Sequence, residues 1–327
     1  MTLLFTDDFR DAVSGDPLVY IDAGARGGVE GPWAEISDAR LFVVAFEPDS
    51  EAAGRLADAA NGAIHVVPKA LWSRSGTAVL HLADIPSTSS IPPPNFPVLD
   101  RFAPEHCAPR KTVKTIAVDT VALDEALASI GRHADFMKID THGAKYEILT
   151  GARNELANHT IGAVIETWTI EIHKGQRLAG DILVAMRGYG FELFDVGVAA
   201  AWPRLSTGRL PRGEKNQIVG LDLLFLKEPS ALGEQPSFAK CAKAAAIADL
   251  YGFPDLAVEY LDRAAGPAAD RLREVIIESL KPTRGTAFRL PSSLHRLVRS
   301  IFPARLYRHL ILKPENRRGA ALHYFGR

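Results

Sequence analysis

Two acidic residues in the N-terminal part of the chain each end a short apolar run. Asp22 ends the run 18–22 and is soon followed by Gly24, while Glu47 ends the run 41–47. If these runs are strands of an open α/β sheet, both acids lie at carboxyl ends, which is where such sheets bind ligands. A carboxylate at Asp22 would repel a pyrophosphate group and attract a cationic ligand such as a sulfonium.

The acid that ends the second run indicates a nucleoside. An acid at the end of a second strand commonly accepts hydrogen bonds from a ribose diol, and both adenosyl and nicotinamide ligands carry that diol. Glu47 alone does not separate these ligands, but Asp22 and Glu47 together favour a cationic nucleoside, and S-adenosylmethionine fits best. The glycines at 24, 27 and 28 also depart from the G-x-G-x-x-G spacing of dinucleotide sites. The structural alternative is that Asp22 only caps a tight turn.

A third cluster of polar residues is the segment DFMKIDTHG at 135–143. Residues two apart in a strand face the same way, so Lys138 and Asp140 share a face, with Asp140 at the carboxyl end. A lysine inside an apolar strand is costly unless it is paired or functional. Either Lys138 forms an ion pair with Asp140 or Glu166 that only holds the strand, or it positions Asp140 or the methyl acceptor for catalysis.

Two histidines are further candidates for proton transfer. His142 follows Asp140 by two residues, and His173 lies in a polar stretch after the run 163–168. A structural role is the alternative for each of them. No His/Cys spacing fits a zinc site and no phosphate-binding loop is present. Several strand-end acids could hold a divalent ion, but nothing in the sequence demands one, so no metal site is assigned.

The contacts with the substrate are expected from two other segments. Glu166 lies near the end of the run 163–168. Ser89 and Ser90 belong to the segment 84–109, whose seven prolines argue against a helix or a central strand. We expect this segment to be a long loop that shapes the acceptor side of the site.

The apolar runs alternate with amphipathic segments. The runs lie at residues 18–22, 41–47, 64–67, 136–140, 163–168, 191–196 and 221–226, and helices are predicted at 50–61, 121–132, 144–157 and 177–187. This alternation predicts an α/β protein with a mostly parallel sheet and helices on both faces. The last two runs lack a helix between them, so we expect them to form an antiparallel pair at the sheet edge.

The composition excludes several classes of protein. The chain has 327 residues, of which 47% are hydrophobic and 24% charged, and its net charge is −1. A disordered chain would be less apolar and more highly charged. Two cysteines cannot form a disulfide framework, no apolar run reaches the length of a membrane span, and the acidic start MTLLFTDDFR does not resemble a signal peptide. We therefore expect a cytoplasmic protein.

The charges are distributed unevenly. Residues 281–327 carry two lysines and nine arginines against one acid, a net charge of +10, so the preceding part carries −11. Apolar residues recur at helical spacing among these arginines, as in helices that bind anionic membranes. The tail is therefore predicted to bind an anionic membrane surface at the inner face of the membrane, or else to pack on the acidic body. We do not expect nucleic acid as a partner, because no recognition module is present.

Three parts of the chain are distinguished on this basis. Residues 1–230 form the predicted catalytic domain, residues 231–280 a helical hairpin around Gly252, and residues 281–327 the basic tail. The hairpin is predicted from two helical patterns separated by the turn sequence GFPD. The hairpin and the tail together form the C-terminal extension.

Across residues 18–228 the chain resembles the FkbM family of S-adenosylmethionine-dependent methyltransferases. The family motif VDVGAN-x-G is matched by IDAGARGG at 21–28, AFEP by AFEP at 45–48, and KID-x-x-G by KIDTHG at 138–143. The pair LD at 123–124, the segment ILTGA at 148–152 and the acid Glu166 also match in order. Two residues depart from the pattern, since Arg26 replaces an asparagine and Lys145 a glutamate. These changes either retune the acceptor or weaken the cofactor site.

The resemblance implies a class I methyltransferase fold with seven strands, all parallel except one, and O-methylation of a sugar, glycan or natural-product hydroxyl. The residues that it assigns to the cofactor are Asp22, Gly24, Ala25, Arg26, Gly28, Glu47, Pro48 and Asp140. For catalysis we expect Asp140 as the base, with His142 or His173 as the next choices, and Lys138 as a positioning group. The alternatives are a binding protein on a methyltransferase fold and, further away, a nicotinamide oxidoreductase.

Overall fold

The computed structural model describes residues 2–29, 31–36, 39–60, 64–205 and 215–281. The amphipathic helices predicted in the basic tail after residue 281 lie outside these residues. Among the helices that the structure describes, none combines the length and the hydropathy needed to cross a bilayer.

Ten strands form two sheets in the residues that the structure describes. They are β1 (Leu18–Ala23), β2 (Leu41–Phe46), β3 (Ile64–Val67), β4 (Ala70–Leu71), β5 (Gly76–Ala83), β6 (Thr112–Val121), β7 (Phe136–Ile139), β8 (Gly162–Trp168), β9 (Phe191–Trp202) and β10 (Gln217–Lys227). The large sheet has the order β3-β2-β1-β7-β8-β10-β9, and β10 alone runs antiparallel to the other six strands. The predicted class I methyltransferase fold and the antiparallel pair at its edge are confirmed. The strands β1 and β7 are buried along their whole length because helices cover both faces.

Ten α-helices accompany the sheets in the described part of the chain. They are α1 (Asp7–Ala12), α2 (Ser50–Ala60), α3 (Phe96–Leu99), α4 (Pro104–Cys107), α5 (Leu123–Ser129), α6 (Lys145–Thr150), α7 (Ala179–Gly188), α8 (Phe238–Leu250), α9 (Pro254–Asp262) and α10 (Pro267–Leu280). The prediction of one helix over 144–157 was wrong. Helix α6 ends at Thr150, and at the following Gly151 the chain packs so closely on Trp72 that a Cβ would lie 2.1 Å from the Trp72 carbonyl oxygen. A separate π-helical turn, Glu155–His159, follows it.

A second, three-stranded sheet, in the order β4-β6-β5, was not predicted from the sequence. Strands β5 and β6 pair antiparallel and stay half-exposed, so they alternate polar and apolar residues instead of forming continuous apolar runs. The segment 84–109 follows β5 and is not wholly irregular, contrary to expectation. It contains the single-turn helices α3 and α4, whose prolines occupy the first-turn positions, where a missing N–H costs nothing.

Two apolar cores lie on opposite faces of the large sheet. On one face Tyr20, Trp33 and Phe136 pack together and against the almost wholly buried helix α8. The other face, with Ile21 and Met137, packs against the helices α5 to α7. The two helices predicted around Gly252 are present as α8 and α9, and α10 follows them. These helices therefore complete one of the two layers that hold the sheet.

Candidate active site

Five neighbouring chain segments place a row of residues along the edge of the large sheet at which its parallel strands end. The pairing registers put Glu47, Gly24, Asp140, Glu166 and Asp222 next to one another in this order, from β2 to β10. The pairing continues one residue beyond the strands. The Gly24 amide donates to the last residue of β2, and the Asp140 amide donates to the last residue of β1. The row, which we call the carboxyl row, thus consists of four acids and one glycine.

Gly24 forms a gap in the carboxyl row. Its φ of 97° lies in the left-handed region, and a Cβ at this position would lie 2.2 Å from the carbonyl oxygen of Asp140. Only glycine fits there, both for its backbone conformation and for the contact. The space that a Cβ would need is filled by the Asp140 backbone, while Gly24 itself lines the cavity and offers its backbone to a ligand between two carboxylates.

A cavity of about 470 Å³ opens above this gap. Its volume lies within the range of small-molecule sites, which is about 300–1,000 Å³. The predicted site residues that line it are Gly24, Arg26, Glu47, Pro48, Ser89, Ser90, Lys138, Asp140, His142 and Glu166. Thus segments spread over most of the predicted catalytic domain meet at one place. Asp22, Ala25, Gly28 and His173 are not among the lining residues.

Asp22 lies below the cavity and not on its surface. Its side chain is completely buried, and its Oδ1 is 3.7 Å from the Nζ atom of Lys138. The same Nζ atom is 3.9 Å from Oδ2 of Asp140. Lys138 therefore connects the buried acid with the acid that faces the cavity, and the charge of Asp22 acts on the site through this lysine.

Glu47 and the replacement Arg26 form the other side of the gap. The Asp49 amide donates to Oε1 of Glu47 at 2.9 Å. Burial raises the pKa of Glu47, and this hydrogen bond and the charge of Arg26 oppose the rise. The guanidinium of Arg26 is itself paired with Asp49, at 2.8 Å. The added positive charge is thus balanced by an acid of the same chain.

The second replacement, Lys145, is balanced in the same way. Lys145 lies at the start of α6, is almost completely buried, and places its Nζ atom 3.0 Å from Oε2 of Glu166. Glu166 belongs to the carboxyl row and lines the cavity. Both departures from the family pattern are therefore part of ion pairs at the site.

Two further acids of the carboxyl row, besides Glu47, have raised pKa values. Burial and the charge of Glu166 raise the pKa of Asp140, against the opposing charges of Lys145 and Lys138. Burial, followed by the charges of Glu166 and Asp140, raises the pKa of Asp222 to about 7. Asp222 was missed in the sequence, because its position opposite Glu166 depends on the pairing of β10 with β8.

The two histidines are neutral at physiological pH. Burial, followed by the charges of Lys145 and Arg110, lowers the pKa of His142 to about 3. Burial also lowers the pKa of His173 well below its usual value. The two rings are 5.6 Å apart, with His173 behind His142 and its Nδ1 3.1 Å from Oε1 of Gln176.

Arg110 is a second residue that sequence reasoning missed. Its guanidinium lies over the rings of Trp168 and Trp202, 5.5 Å and 4.7 Å from their centroids. Burial lowers its pKa, and the charge of Glu166 opposes this effect. No motif points to this residue, because the two rings come from strands distant in sequence.

The predicted acceptor contacts Ser89 and Ser90 reach the cavity wall, but their hydroxyls also hold the loop. The Ser89 hydroxyl accepts from the Ala83 amide at 3.1 Å, and the Ser90 hydroxyl donates to the Pro92 carbonyl at 2.6 Å. The backbone of Ser90 pairs with that of His81 on β5. The second sheet thus anchors the loop at the cavity.

The family model described as the methyltransferase FkbM domain matches residues 22–193, which is more than half of the chain. The chain belongs to the FkbM methyltransferase family. Its family is thus one of methyltransferases. No curated protein sequence matches this FkbM family member.

Solved structures of methyltransferases are distantly similar to this FkbM protein. The methyltransferase FkbM of Methylobacillus flagellatus KT is 15% identical, with 64% of this chain and 44% of that chain covered and a TM-score of 0.35. The precorrin-6y C5,15-methyltransferase of Geobacter metallireducens GS-15 is 12% identical, with 67% and 88% covered and a TM-score of 0.34. The magnesium protoporphyrin IX methyltransferase of Synechocystis PCC 6803, solved with bound SAM, is 12% identical, with 67% and 76% covered and a TM-score of 0.31. This chain therefore spans less than half of the first of these proteins, and the family match alone carries the identification.

The cofactor of this FkbM methyltransferase is S-adenosylmethionine. The residues present fit it. The gap at Gly24 admits a ligand to the backbone, and Glu47 provides a carboxylate at the end of the second strand, where a ribose diol is bound in related sheets. The carboxyl row contains four acids, and the nearby cations Arg26, Lys138 and Lys145 each have an acid as counter-charge, so the edge favours a cationic ligand over a phosphate.

Proposed function

We propose that this methyltransferase transfers the methyl group of S-adenosylmethionine to a hydroxyl oxygen of a sugar, glycan or natural product, with Asp140 as the general base. The observation that carries the proposal is the position of Asp140. Its side chain is 45% exposed at the cavity, beside the gap at Gly24, and its pKa is raised. It is thus a carboxylate with increased proton affinity at the place where a ligand enters.

The reaction needs such a base because an alcohol is a weak nucleophile. The hydroxyl oxygen forms the bond to the methyl carbon, the carbon–sulfur bond breaks with its electron pair going to sulfur, and the hydroxyl proton goes to Asp140. A positioned base contributes about 10²–10⁴-fold to such a step. Alignment of the acceptor and exclusion of water in the cavity supply the rest.

The geometry favours Asp140 over the two histidines. His142 lines the cavity, but its pKa of about 3 makes it a poor proton acceptor at neutral pH. His173 is behind it, in contact with Gln176. Lys138 fits a positioning role, since it lies between Asp22 and Asp140.

The substitution Asp140→Asn tests the proposal. We expect it to reduce methyl transfer by at least about 100-fold, the lower range for a lost base, while binding of S-adenosylmethionine changes little. Calorimetric titration measures the binding. Transfer from methyl-labelled cofactor into extracts of cell-envelope glycans and secondary metabolites, with detection of a mass gain of one methyl group, measures the reaction. Turnover in the variant equal to that of the wild type would remove Asp140 from the mechanism.

The alternative is a protein that binds a ligand on this fold without catalysis, and it is motivated by Arg26 and Lys145. The ion pairs of these residues with Asp49 and Glu166 argue against it, because neither positive charge is left without a counter-charge. The same titration separates the two functions. A wild-type chain that does not take up S-adenosylmethionine would favour the binding protein.

We further propose that the basic tail binds an anionic membrane surface and brings the enzyme to a lipid-linked glycan acceptor. The net charge of +10 in residues 281–327 supports this. In the test, the full chain is compared with a variant in which Arg296, Arg299, Arg305 and Arg308 are replaced by Gln. We expect the wild type, but not the variant, to float with liposomes of anionic lipid. Equal flotation of the two chains would contradict the proposal.

A further inference from the structure

Glu166 and Asp222 form a pair of like charges at the end of the carboxyl row. They are directly opposite each other in the antiparallel pair of β8 and β10, so their side chains lie on the same face of the sheet. On its other side Asp222 is opposite Gly197 of β9, which has no side chain. The other charged groups that act on Asp222 are Asp140, Lys145 and Lys138.

The positive charges around this pair do not balance the acids. Lys145 is paired with Glu166, and Lys138 lies between Asp22 and Asp140. The guanidinium of Arg110 also interacts with the charge of Glu166, so four carboxyl groups share three cations. Two like-charged carboxylates in a partly buried site favour binding of a proton by one of them. The raised pKa of Asp222, about 7, agrees with this expectation.

We propose that the pair Glu166–Asp222, which we call the carboxyl pair, exchanges a proton for the positive charge of the cofactor. The carboxyl pair holds a proton while the site lacks a sulfonium, releases it when the sulfonium is bound, and takes up a proton when the methyl group has left. This inference rests on the proposed function, because the proton that returns comes from the acceptor hydroxyl.

The charges and atoms of the cycle balance. Methyl transfer turns the sulfonium into a neutral thioether and releases one proton from the hydroxyl. Asp140, the neighbour of Glu166 in the carboxyl row, takes that proton and passes it to the carboxyl pair. The net charge of the site is therefore the same before and after the reaction. Asp222 acts through Glu166 and Asp140 and is a positioning residue for the proton, not a base that contacts the acceptor.

Calorimetric titration of the full chain with S-adenosylmethionine tests this without knowledge of the acceptor. Repeating the titration in buffers with different ionisation enthalpies gives the number of protons released on binding. At pH 7 we expect about half a proton per cofactor, since a group with a pKa of about 7 is half protonated there. S-adenosylhomocysteine, which lacks the positive charge, is expected to release almost none.

Two variants complete the experiment. Asp222→Asn removes the titrating group and is expected to abolish the proton release, whereas Asp119→Asn makes the same change on an exposed residue of β6 and leaves it unchanged. Between pH 6 and pH 8 the wild-type Kd for S-adenosylmethionine should fall about tenfold, while that of Asp222→Asn stays nearly constant.

The outcomes separate this inference from the proposed function. If the wild type binds the cofactor without releasing protons, or releases as many for S-adenosylhomocysteine, the exchange does not occur and the methyltransferase proposal stands. If Asp222→Asn releases as many protons as the wild type, the exchange likewise does not occur and the methyltransferase proposal stands. If protons are released on binding but the methyl group is transferred to carbon or nitrogen, the charge exchange stands and the proposed hydroxyl acceptor is wrong. A chain that does not bind S-adenosylmethionine overturns both.

Discussion

The ammonium group of Lys138 lies 3.7 Å from a carboxylate oxygen of Asp22, and the side chain of Asp22 is completely buried. Removing one member of a buried ion pair leaves the other charge without compensation, which costs about 3–5 kcal/mol. Asp140, at 3.9 Å from the same ammonium, retains part of the compensation. We therefore expect Asp22→Asn to lower the free energy of unfolding by about 3 kcal/mol. Urea denaturation measures this free energy, with Asp119→Asn as the exposed control. Equal stability of the two variants would show that the charge of Lys138 does not need compensation by Asp22.

Gly24→Ala places a methyl group against the carbonyl oxygen of Asp140. The control is Gly15→Ala, because Gly15 has a similar positive φ of 87° and no atom within 4 Å of the added Cβ. Both variants carry the backbone strain of a left-handed residue, about 1–3 kcal/mol, so their difference isolates the contact. We expect Gly24→Ala to be less stable than Gly15→Ala by at least about 2 kcal/mol, and to lose cofactor binding in calorimetric titration. Unchanged cofactor affinity in Gly24→Ala would mean that the gap is not the ligand's entrance.

Asp222 makes stability depend on pH in an unusual direction. Its folded-state pKa of about 7 lies above the usual value of 3.8, so between these values the folded state binds more protons than the unfolded state. Its contribution to stability is therefore present at low pH and is lost as the pH rises through about 7. Asn cannot ionise, so Asp222→Asn should be more stable than the wild type at pH 8, by about 1–2 kcal/mol after allowance for the partial exposure of the site.

The same comparison at pH 5 supplies the contrast for this prediction. There Asp222 is protonated in the folded state and only about one pH unit above its unfolded-state pKa, so the stability advantage of the variant in urea should be less than half of that at pH 8. A stability difference that is the same at pH 5 and pH 8 would show that Asp222 does not titrate in this range.

The inner strands of the large sheet were predictable because they are buried on both faces. Runs such as 18–22 and 41–47 are apolar up to the acid at their end, and burial of both faces is the physical cause of that pattern. Strands β5 and β6 escaped prediction for the complementary reason. One side of each is exposed, their sequences alternate, and they lie beside a proline-rich segment that suggested an irregular loop.

At the site, the strand-end residues were predictable and their partners were not. Gly24, Glu47 and Asp140 follow apolar runs, so the sequence places them at the carboxyl edge. Asp222 lies inside β10, and only the strand order reveals that it is opposite Glu166. Asp22 shares a face with Gly24 but lies one pleat deeper, so it contacts Lys138 instead of the cavity. How far a residue lies below the edge of the sheet depends on the register of its strand with the neighbouring strands, and the apolar runs of this sequence do not specify that register.

Lys145 is expected to control the proton affinity of the carboxyl pair. Its charge lowers the pKa of Asp222, and its ammonium is 3.0 Å from Glu166. Lys145→Met keeps most of the apolar stem and removes the charge, so we expect the pKa of Asp222 to rise further above its present value of about 7. Proton release on binding S-adenosylmethionine should then be greatest at a higher pH than in the wild type, whereas Lys145→Arg retains the charge and should leave the profile close to that of the wild type. An identical pH profile in Lys145→Met and the wild type would show that the lysine found here in place of the family's glutamate does not act on Asp222.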